Sequence, residues 1–361
     1  FFSLLMGNKK KQQAKSRENV VKSIAANRLQ SAQRQFDAHF FDVYKCRWKK
    51  LREALLQPVS HVVRINGFAD LGEVQQLMKG WDCKPAVEDV NDPVLNNCFI
   101  SANPVPGNAP RCKKSNVCLY YLMDFGSVVA AWALGARKNE EIADTCAAPG
   151  GKSLILAEGV GEGGHVVCNE MSAARRSKLL KVMKDFVPYD YRNLVNVTGY
   201  DATQWRKTAR GMHLRAFDAV LVDAPCSSER HLLHDPQEMA TWTPKRTKQN
   251  AKRQLDILLQ AIFAARPGGR LLYSTCSISP VENDDVVEKL LKKRGEVVEV
   301  CGNLEDVLPV NPTRLGATAT KYGWMFWPDV CGYGPLYFSL LSVKGNDAEE
   351  EDEEEDEDEE E

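Results

Sequence analysis

Two cysteines occupy similar places in the sequence, because each follows a run of apolar residues that predicts a buried strand. Cys226 lies in FDAVLVDAPCSSERH (217–231) and Cys276 lies in GRLLYSTCSIS (269–279). A thiolate is well suited to add reversibly to carbon 6 of a pyrimidine, which makes carbon 5 of that ring nucleophilic. A second thiol can assist the later departure of the first. The pair therefore predicts covalent chemistry at carbon 5 of a pyrimidine.

Asp223 stands three residues before Cys226, at the end of the same predicted strand. Its carboxylate could hydrogen-bond the polar edge of the base as charge develops there. A negative charge near a thiol also raises the pKa of that thiol and makes thiolate scarce. A cation such as Lys152 must then offset Asp223.

From residue 140 onward, strand-like and helix-like segments alternate. Seven segments are strand-like: EIADTC, HVVCNE, LVNVTGYD, FDAVLVDA, RLLYSTC, EVVEV and LYFSLLSV. Alternation with helices predicts a mostly parallel seven-stranded sheet with helices on both faces. Ligands of such α/β sheets bind outside the carboxyl ends of the strands. Both thiols are expected at that edge.

The ends of the first four strands favour S-adenosylmethionine as the ligand. The first strand leads into DTCAAPGGK, where Gly150 and Gly151 let the backbone approach a ligand and the next helix offers free N–H groups. The other three strands end in Glu170, Asp201 and Asp223. There is no dinucleotide fingerprint or phosphate loop, and these acids would repel a triphosphate. The expected fold is a Rossmann-like α/β methyltransferase fold with a helical N-terminal extension.

The composition of the 361-residue chain indicates a globular protein that binds a polyanion. The chain is 43% hydrophobic, yet it has no apolar run of the roughly 18 residues that a membrane helix needs. Residues 349–361 are 13 acids, and the other 36 acids oppose 47 lysines and arginines, so the remainder carries +11. Such a charge suits RNA. Eleven cysteines without a CxxC pair indicate free thiols in a reducing compartment and predict no metal site.

We divide the chain into four parts. Residues 1–59 form a basic helical extension, 60–118 a small α+β region, 119–345 the catalytic domain, and 346–361 an acidic tail disordered by self-repulsion. The extension fits either helices packed on the body or an arm that faces RNA or a partner. The segment YYLMDFGSVVAAWALGA (120–136) predicts a further helix.

The motifs DTCAAPGGK, VDAPCSS and YSTCSISPVEND, in this order, resemble those of the NSUN (Sun-domain) family of RNA cytosine-5 methyltransferases over about residues 117–343. The segments YYLMDFGSVVAAWALG, DAPCSSERHLLH and FDAHFFDVYKCRWKKLREALL further resemble the mitochondrial rRNA-methylating member. The resemblance implies the Rossmann-like fold, S-adenosylmethionine as cofactor and RNA as substrate.

The resemblance also implies a role for each site residue. Cys276 would be the nucleophile, Cys226 would assist product release, and Asp223 would contact the target base. The residues that would bind S-adenosylmethionine are Gly150, Gly151, Lys152, Glu170, Arg175, Asp201 and Asp223. DNA cytosine methyltransferases resemble this chemistry but take their nucleophile from a Pro-Cys pair, present here as Pro225-Cys226. The sequence by itself thus leaves the division between the thiols open, and family membership favours Cys276. Glu229 is a departure that we expect to put a negative charge where RNA passes.

The function implied is methylation of carbon 5 of a cytosine in rRNA through a covalent Cys–C6 adduct, in mitochondrial ribosome assembly. The partners implied are rRNA, an MTERF-family protein, and ribosome assembly factors or ribosomal proteins. The location implied is the mitochondrion, with nucleolus or cytoplasm as alternatives. Two other functions stay open, namely a non-catalytic rRNA-binding assembly factor and a tRNA cytosine-5 methyltransferase.

Overall fold

The computed structural model describes residues 2–208, 216–301 and 308–344, with side chains from residue 23 onward. The acidic tail at 346–361, expected to be disordered, lies outside these residues. Among the helices in the described ranges, none is long and apolar enough to traverse a bilayer.

The N-terminal extension forms two helices, α1 (Phe2–Tyr44) and α2 (Arg47–Leu56). The side chains that it buries against the body share one face: Phe36, Phe40, Trp48, Leu51 and Leu55. The Phe36 ring meets the Trp242 ring edge-on, with 4.9 Å between centroids. Residues 23–31 are mostly exposed. Residues 32–56 therefore carry the side chains of the extension that pack on the body.

A small sheet precedes the main one. Its elements are β1 (His61–Ile65), α3 (Leu71–Lys79), β2 (Cys83–Pro85), α4 (Pro93–Asn96), β3 (Cys98–Ser101) and β4 (Tyr120–Asp124). The four strands are antiparallel in the order β2-β3-β1-β4.

The predicted helix at 120–136 is wrong in its first five residues, which form β4 along the full length of β1. Asp124 ends this strand and caps α5 (Phe125–Ala133), because its side chain accepts a hydrogen bond from the Ser127 N–H. The cap fixes the helix start in the middle of a segment whose apolar content looked uniformly helical.

The catalytic region continues with alternating strands and helices. Its strands are β5 (Glu141–Asp144), β6 (His165–Asn169), β7 (Val195–Thr198), β8 (Phe217–Asp223), β9 (Ala265–Thr275), β10 (Val298–Val300), β11 (Thr318–Ala319), β12 (Trp324–Phe326) and β13 (Leu336–Val343). Its helices are α6 (Gly151–Val160), α7 (Ala173–Phe186), α8 (Trp205–Thr208), α9 (Glu229–His234), α10 (Pro236–Met239), α11 (Pro244–Ala264), α12 (Asp284–Arg294) and α13 (Pro328–Cys331).

The main sheet has the order β11-β12-β13-β9-β8-β5-β6-β7, and β10 also pairs with β13. The five strands from β9 to β7 are parallel, and the remaining pairings are antiparallel. The described residues thus form nine strands in this sheet rather than the expected seven. The two additional strands, β11 and β12, have only two and three residues, too few to show a sequence period. β12 and β10 share the outer edge of β13.

Helices cover both faces of this sheet, as predicted. Alternate residues of β8 point to opposite sides: Val220 and Val222 join the cluster containing α11 and α12, whereas Ala219 and Leu221 join the cluster containing α5, α6 and α7. Each fully buried Val or Leu contributes about 1.5–3 kcal/mol relative to exposure. Because apolar packing on both faces fixes the parallel register, Asp223 lies opposite Ser274. The segments that follow these two residues therefore emerge side by side.

Candidate active site

Cys226 and Cys276 lie together at the carboxyl edge of the sheet, on the loops that follow β8 and β9. Their sulfur atoms are 3.1 Å apart, and both residues are free, partly buried thiols. A disulfide would bring the sulfurs to about 2.05 Å. The predicted convergence of the two thiols in one cleft is present.

The two thiols differ in their acidity. The hydrogen bond with Cys226 lowers the pKa of Cys276 below its usual value, and this outweighs the opposing effect of burial. The same hydrogen bond, together with burial, raises the pKa of Cys226 well above its usual value. Cys276 therefore becomes a thiolate at lower pH, while Cys226 retains its proton and donates it to the Cys276 sulfur.

Ser228 adds a second hydrogen bond to Cys276. Its hydroxyl lies 2.9 Å from the Cys276 sulfur and 3.5 Å from the Cys226 sulfur. The Ser228 backbone is left-handed, with φ 51° and ψ 61°, a conformation that non-glycine residues rarely adopt. Such local strain persists when the surroundings determine it. Here it aims the hydroxyl at the thiol pair and helps to lower the pKa of Cys276.

Lys152 offsets Asp223, as the sequence requires of a cation in this place. The Lys152 Nζ donates to Asp223 Oδ2 at 2.8 Å and to Ser127 Oγ at 3.3 Å. The other Asp223 oxygen accepts from Ser274 Oγ at 2.8 Å. Burial disfavours the charged form of Lys152, but Asp223 outweighs this and raises the pKa of the ammonium. The pair keeps Lys152 charged close to Cys276. Lys152 lowers the pKa of that thiol, while Asp223 raises it by a larger effect.

The glycine turn between β5 and α6 owes its two glycines to neighbouring protein atoms. Gly150 has φ +120°, and a Cβ there would come within 2.9 Å of Met183 Cε. A Cβ on Gly151 would lie 2.9 Å from Tyr121 Cε1. The N-cap residue of α6 is Gly150, which has no side chain that could cap the helix. The N–H groups of the first turn are therefore left for an anionic group. The sequence located the turn correctly, but the tight packing behind it is a feature of the fold.

Glu170 supplies a buried acceptor next to this turn. The residue is 5% exposed, and its Oε1 accepts from the Ser172 N–H at 2.8 Å. Its Oε2 is buried and accepts no hydrogen bond, although Arg175 Nη1 lies 3.1 Å away as an ion-pair partner. Arg175 also donates to the Ala148 carbonyl at 2.7 Å. Arg175 thus joins Glu170 to the glycine turn.

These features fit S-adenosylmethionine. The unsatisfied Glu170 oxygen suits ribose hydroxyls, and the uncapped start of α6 suits a carboxylate. Asp201 follows β7 in the same row, where its Oδ1 accepts from the Thr203 N–H at 3.0 Å and from Thr203 Oγ1 at 2.8 Å. Asp201 therefore caps the turn that follows through its Oδ1 atom.

The sequence missed two buried polar residues behind the turn. Asp144 accepts from Ser153 Oγ at 2.6 Å, and burial raises the pKa of Asp144 to about 7. Asn169 bonds the backbone of both neighbouring strand ends, at Thr145 and Tyr200. Their signal was weak, because each is a single polar residue at the end of an apolar strand.

The expectation that Glu229 faces passing RNA is wrong. Glu229 is fully buried. Its carboxyl accepts from the Ile278 N–H at 2.9 Å and lies 3.1 Å from Ser277 Oγ. Burial raises the pKa of Glu229 to about 8. In the sequence, Glu229 is a charged residue among polar neighbours, which is typical of an exposed loop. Its buried partners lie on a different loop, the one that follows β9.

Comparisons with known proteins identify the family of the chain. The family model for the 16S rRNA methyltransferase RsmB/F matches residues 131–341, more than half of the chain. The mitochondrial tRNA (cytosine(34)-C(5))-methyltransferase of Danio rerio is 34% identical over 269 residues, 71% of this chain and 71% of its own length. The 5-cytosine rRNA methyltransferase NSUN4 of Mus musculus is 28% identical over 346 residues, 88% of this chain and 89% of its own.

Solved structures support the fold. A methyltransferase homologue from Pyrococcus horikoshii aligns with a TM-score of 0.67 at 20% identity, covering 88% of this chain and 99% of its own. NSun6 from the same organism, solved with SFG, aligns with a TM-score of 0.64 at 17% identity, covering 86% and 98%. The Rossmann-like fold and the family resemblance are confirmed. The chain belongs to the RsmB/F family of S-adenosylmethionine-dependent RNA cytosine-5 methyltransferases.

Proposed function

We propose that this protein methylates carbon 5 of a cytosine in rRNA, with Cys276 as the nucleophile. The observation that carries the proposal is the contact between two free thiols, 3.1 Å apart, of opposite acidity. Of the two, Cys276 is the one whose pKa is lowered, and Cys226 holds the proton. This supports Cys276, rather than Cys226 of the Pro225-Cys226 pair, as the nucleophile.

Cys276 acts by adding to carbon 6 of the cytosine. The new S–C6 bond takes its electron pair from the thiolate, and the ring electrons move towards carbon 5. Asp223 accepts a hydrogen bond from the polar edge of the base. Its side chain is 29% exposed and so is accessible from the cleft, while Lys152, at 11%, supports it from behind. Bound S-adenosylmethionine would supply the methyl group to carbon 5.

Cys226 acts in product release. After transfer, a water molecule takes the proton from carbon 5, the electron pair of that C–H bond forms the C5=C6 double bond, the S–C6 bond breaks, and its electron pair returns to the Cys276 sulfur. A protonated Cys226 at 3.1 Å stabilises that sulfur as it becomes a thiolate again. The same hydrogen bond that activates Cys276 for attack thus also makes it a better leaving group.

The cofactor contacts are proposals that follow the carboxyl edge of the sheet. Glu170 would bind the ribose hydroxyls, and the backbone at Gly150, Gly151 and Lys152 would bind the carboxylate. Arg175 would hold the turn in place through Ala148 and Glu170. The free oxygen of Asp201 and the cleft-facing side of Asp223 would complete the site.

The substrate is proposed to be rRNA, in mitochondria. The NSUN4 relative, named for rRNA, aligns over 88% of this chain, and the matching family model is named for 16S rRNA. The charge of +11 outside the acidic tail suits a folded RNA, and an MTERF-family partner or ribosomal proteins would help to select the site. A tRNA substrate is the second candidate, because the Danio rerio tRNA enzyme has 34% identity over 71% of the chain.

The test is methyl transfer from labelled S-adenosylmethionine to mitochondrial rRNA and tRNA transcripts, with mapping of 5-methylcytosine. We expect label in rRNA with the wild-type protein, and a loss of about three orders of magnitude or more in Cys276→Ala. Cys46→Ala, at an exposed cysteine, is the matched control. Full activity in Cys276→Ala would exclude the assigned nucleophile, and label confined to tRNA would replace the substrate.

A further inference from the structure

Two buried carboxylates join the loop that carries Cys226 to the loop that carries Cys276. Glu229 lies three residues after Cys226 and Glu282 lies six residues after Cys276, and both are fully buried. Each bonds the loop on which it does not reside. The two carboxyl groups therefore form two links between the loops, one from Glu282 to the Cys226 loop and one from Glu229 to the Cys276 loop.

Glu282 holds the Cys226 loop. It accepts from the Ser227 N–H at 3.0 Å and from the Ser227 hydroxyl. Gln254 of α11 adds a bond at 2.8 Å and also donates to the Pro225 carbonyl at 2.9 Å. Pro225 and Ser227, the residues on either side of Cys226, are therefore held by Gln254 and Glu282.

Glu229 holds the Cys276 loop in the reverse direction. Its carboxyl accepts from the Ile278 N–H at 2.9 Å and contacts Ser277 Oγ at 3.1 Å. The same Ser277 oxygen is 3.4 Å from Glu282 and accepts from the Ser279 N–H at 3.0 Å. Ser277 is thus the point at which the two links meet, one residue after Cys276.

We propose that Glu229 and Glu282 are positioning residues which, through Ser277, set the relative position of the Cys226 and Cys276 thiols. The proposal rests on the proposed function, in which these are the two reacting thiols. Neither carboxylate touches a thiol sulfur among the hydrogen bonds of the described residues, so both act through the loops that they hold.

The hydrogen-bond donors assign the proton in this pair. Ser277 has one hydroxyl proton and cannot donate to both carboxylates. Glu282 receives donors from Ser227, Gln254 and Ser277, which suits an ionised carboxylate. Glu229 has backbone donors only and is the protonated member, donating to Ser277 Oγ. Burial raises the pKa of Glu282 too, but the side-chain and backbone donors from Ser227 and Gln254 oppose this. Burial, and then the charge on Glu282, raise the pKa of Glu229 to about 8, in agreement with this assignment.

Among the described residues, two tyrosines and the two thiols are the other titratable groups near Glu229 and Glu282. Tyr44 of α1 is near Glu229 and donates to the Ile278 carbonyl. Tyr273 of β9 donates to the Glu282 backbone carbonyl at 2.5 Å. Cys276 is near Glu229, and Cys226 is near Glu282. Both tyrosines have a raised pKa, first through burial, so they stay neutral and add no opposing charge.

The first test measures thiol geometry without RNA. Diamide takes two electrons and two protons from thiols in contact, which form a disulfide while diamide becomes a hydrazine. We expect Glu282→Gln to slow disulfide formation between Cys226 and Cys276 about tenfold or more. The amide NH₂ of the glutamine would face the donors Ser227 and Gln254, which would lose an acceptor. Glu229→Gln retains a neutral group that can donate to Ser277, so we expect a change of about threefold or less. Glu53→Gln, at an exposed carboxylate, is the matched control.

The second readout is methylation by the same variants. Glu282→Gln should lower kcat by about ten- to a hundredfold while the KM for RNA changes little, since a small misplacement of a reacting group has such an effect. Coupling and kcat at wild-type values in Glu282→Gln would overturn the proposal, whereas equal losses in Glu229→Gln would contradict the assignment of the proton to Glu229. Diamide coupling remains informative if the wild-type protein fails to methylate RNA, a result that would count against the proposed function alone.

Folding is checked by urea unfolding, and Glu282→Asp replaces Glu282→Gln if the latter does not fold. The aspartate retains the charge with a shorter reach, so an intermediate loss is expected, and wild-type coupling would again contradict the proposal. The unfolding data also test whether the Glu229 carboxyl is protonated. A pKa of about 8 for Glu229, above the usual 4.5, means that wild-type stability falls as pH rises from 4.5 through 8. Glu229→Gln should lack this part of the slope, and an unchanged slope would place the proton elsewhere.

Discussion

Cys226 and Cys276 occupy nearly equivalent places, each on a loop that leaves a central parallel strand, yet their surroundings make them chemically unlike. Cys276 lies 2.9 Å from the Ser228 hydroxyl, and Lys152 helps to lower its pKa. Cys226 lies farther from that hydroxyl, at 3.5 Å, and its pKa is raised. The comparison teaches that strand position brings a thiol to the cleft, whereas the hydrogen bonds that reach it decide its role.

The largest expected effect comes from removing the proton donor. Cys226→Ala should retain attack by Cys276 but lose its leaving-group assistance, so a covalent protein–RNA adduct should accumulate while turnover falls about a hundredfold or more. Denaturing gel electrophoresis with labelled RNA measures the adduct, and Cys276→Ala, which cannot form it, is the control. Rapid turnover without adduct in Cys226→Ala would remove the distinction between the two thiols.

A smaller effect should follow from removing the nearby cation. Lys152→Gln leaves Asp223 without its ion pair, so the pKa of Cys276 should rise. The pH midpoint of Cys276 alkylation by iodoacetamide should move upward accordingly, and kcat/KM at neutral pH should fall about tenfold. Lys289→Gln, at an exposed position on α12, should change neither quantity. An unmoved alkylation midpoint in Lys152→Gln would show that the thiol hydrogen bond suffices.

The smallest effect concerns the serine that distinguishes the two sulfurs. Ser228→Ala removes one hydrogen bond to Cys276, so the pKa of Cys276 should rise and activity at neutral pH should fall about threefold. Ser228→Gly lacks the same hydroxyl but relieves the left-handed backbone, and is the matched variant. If the two variants differ strongly in alkylation midpoint, backbone conformation rather than the hydroxyl controls Cys276.

Much of this site was visible in local sequence. The glycine turn, Glu170, Asp201, Asp223 and both cysteines all lie at the carboxyl edge of the sheet, because parallel strands covered by helices place every strand end on the same side. The short strands β11 and β12 escaped prediction because two or three residues show no period.

Glu229 shows why the remainder could not be predicted. Its sequence neighbours are polar, which is typical of an exposed loop, yet its hydrogen-bond partners are residues 277 and 278. Tyr44 behaves similarly, since its partner, the Ile278 carbonyl, is 234 residues away along the chain. Contacts at such separation leave no periodic trace in the sequence.

The sequence by itself determined which chemical groups this protein has and at which edge of the sheet they stand. Residue type and strand period are local properties, and they are sufficient for the thiols, the acids and the glycine turn. Only the tertiary structure decided which thiol is the more acidic, which acids are buried and what balances Asp223. Those properties depend on distances of about 3 Å between residues on different loops, and packing alone sets such distances.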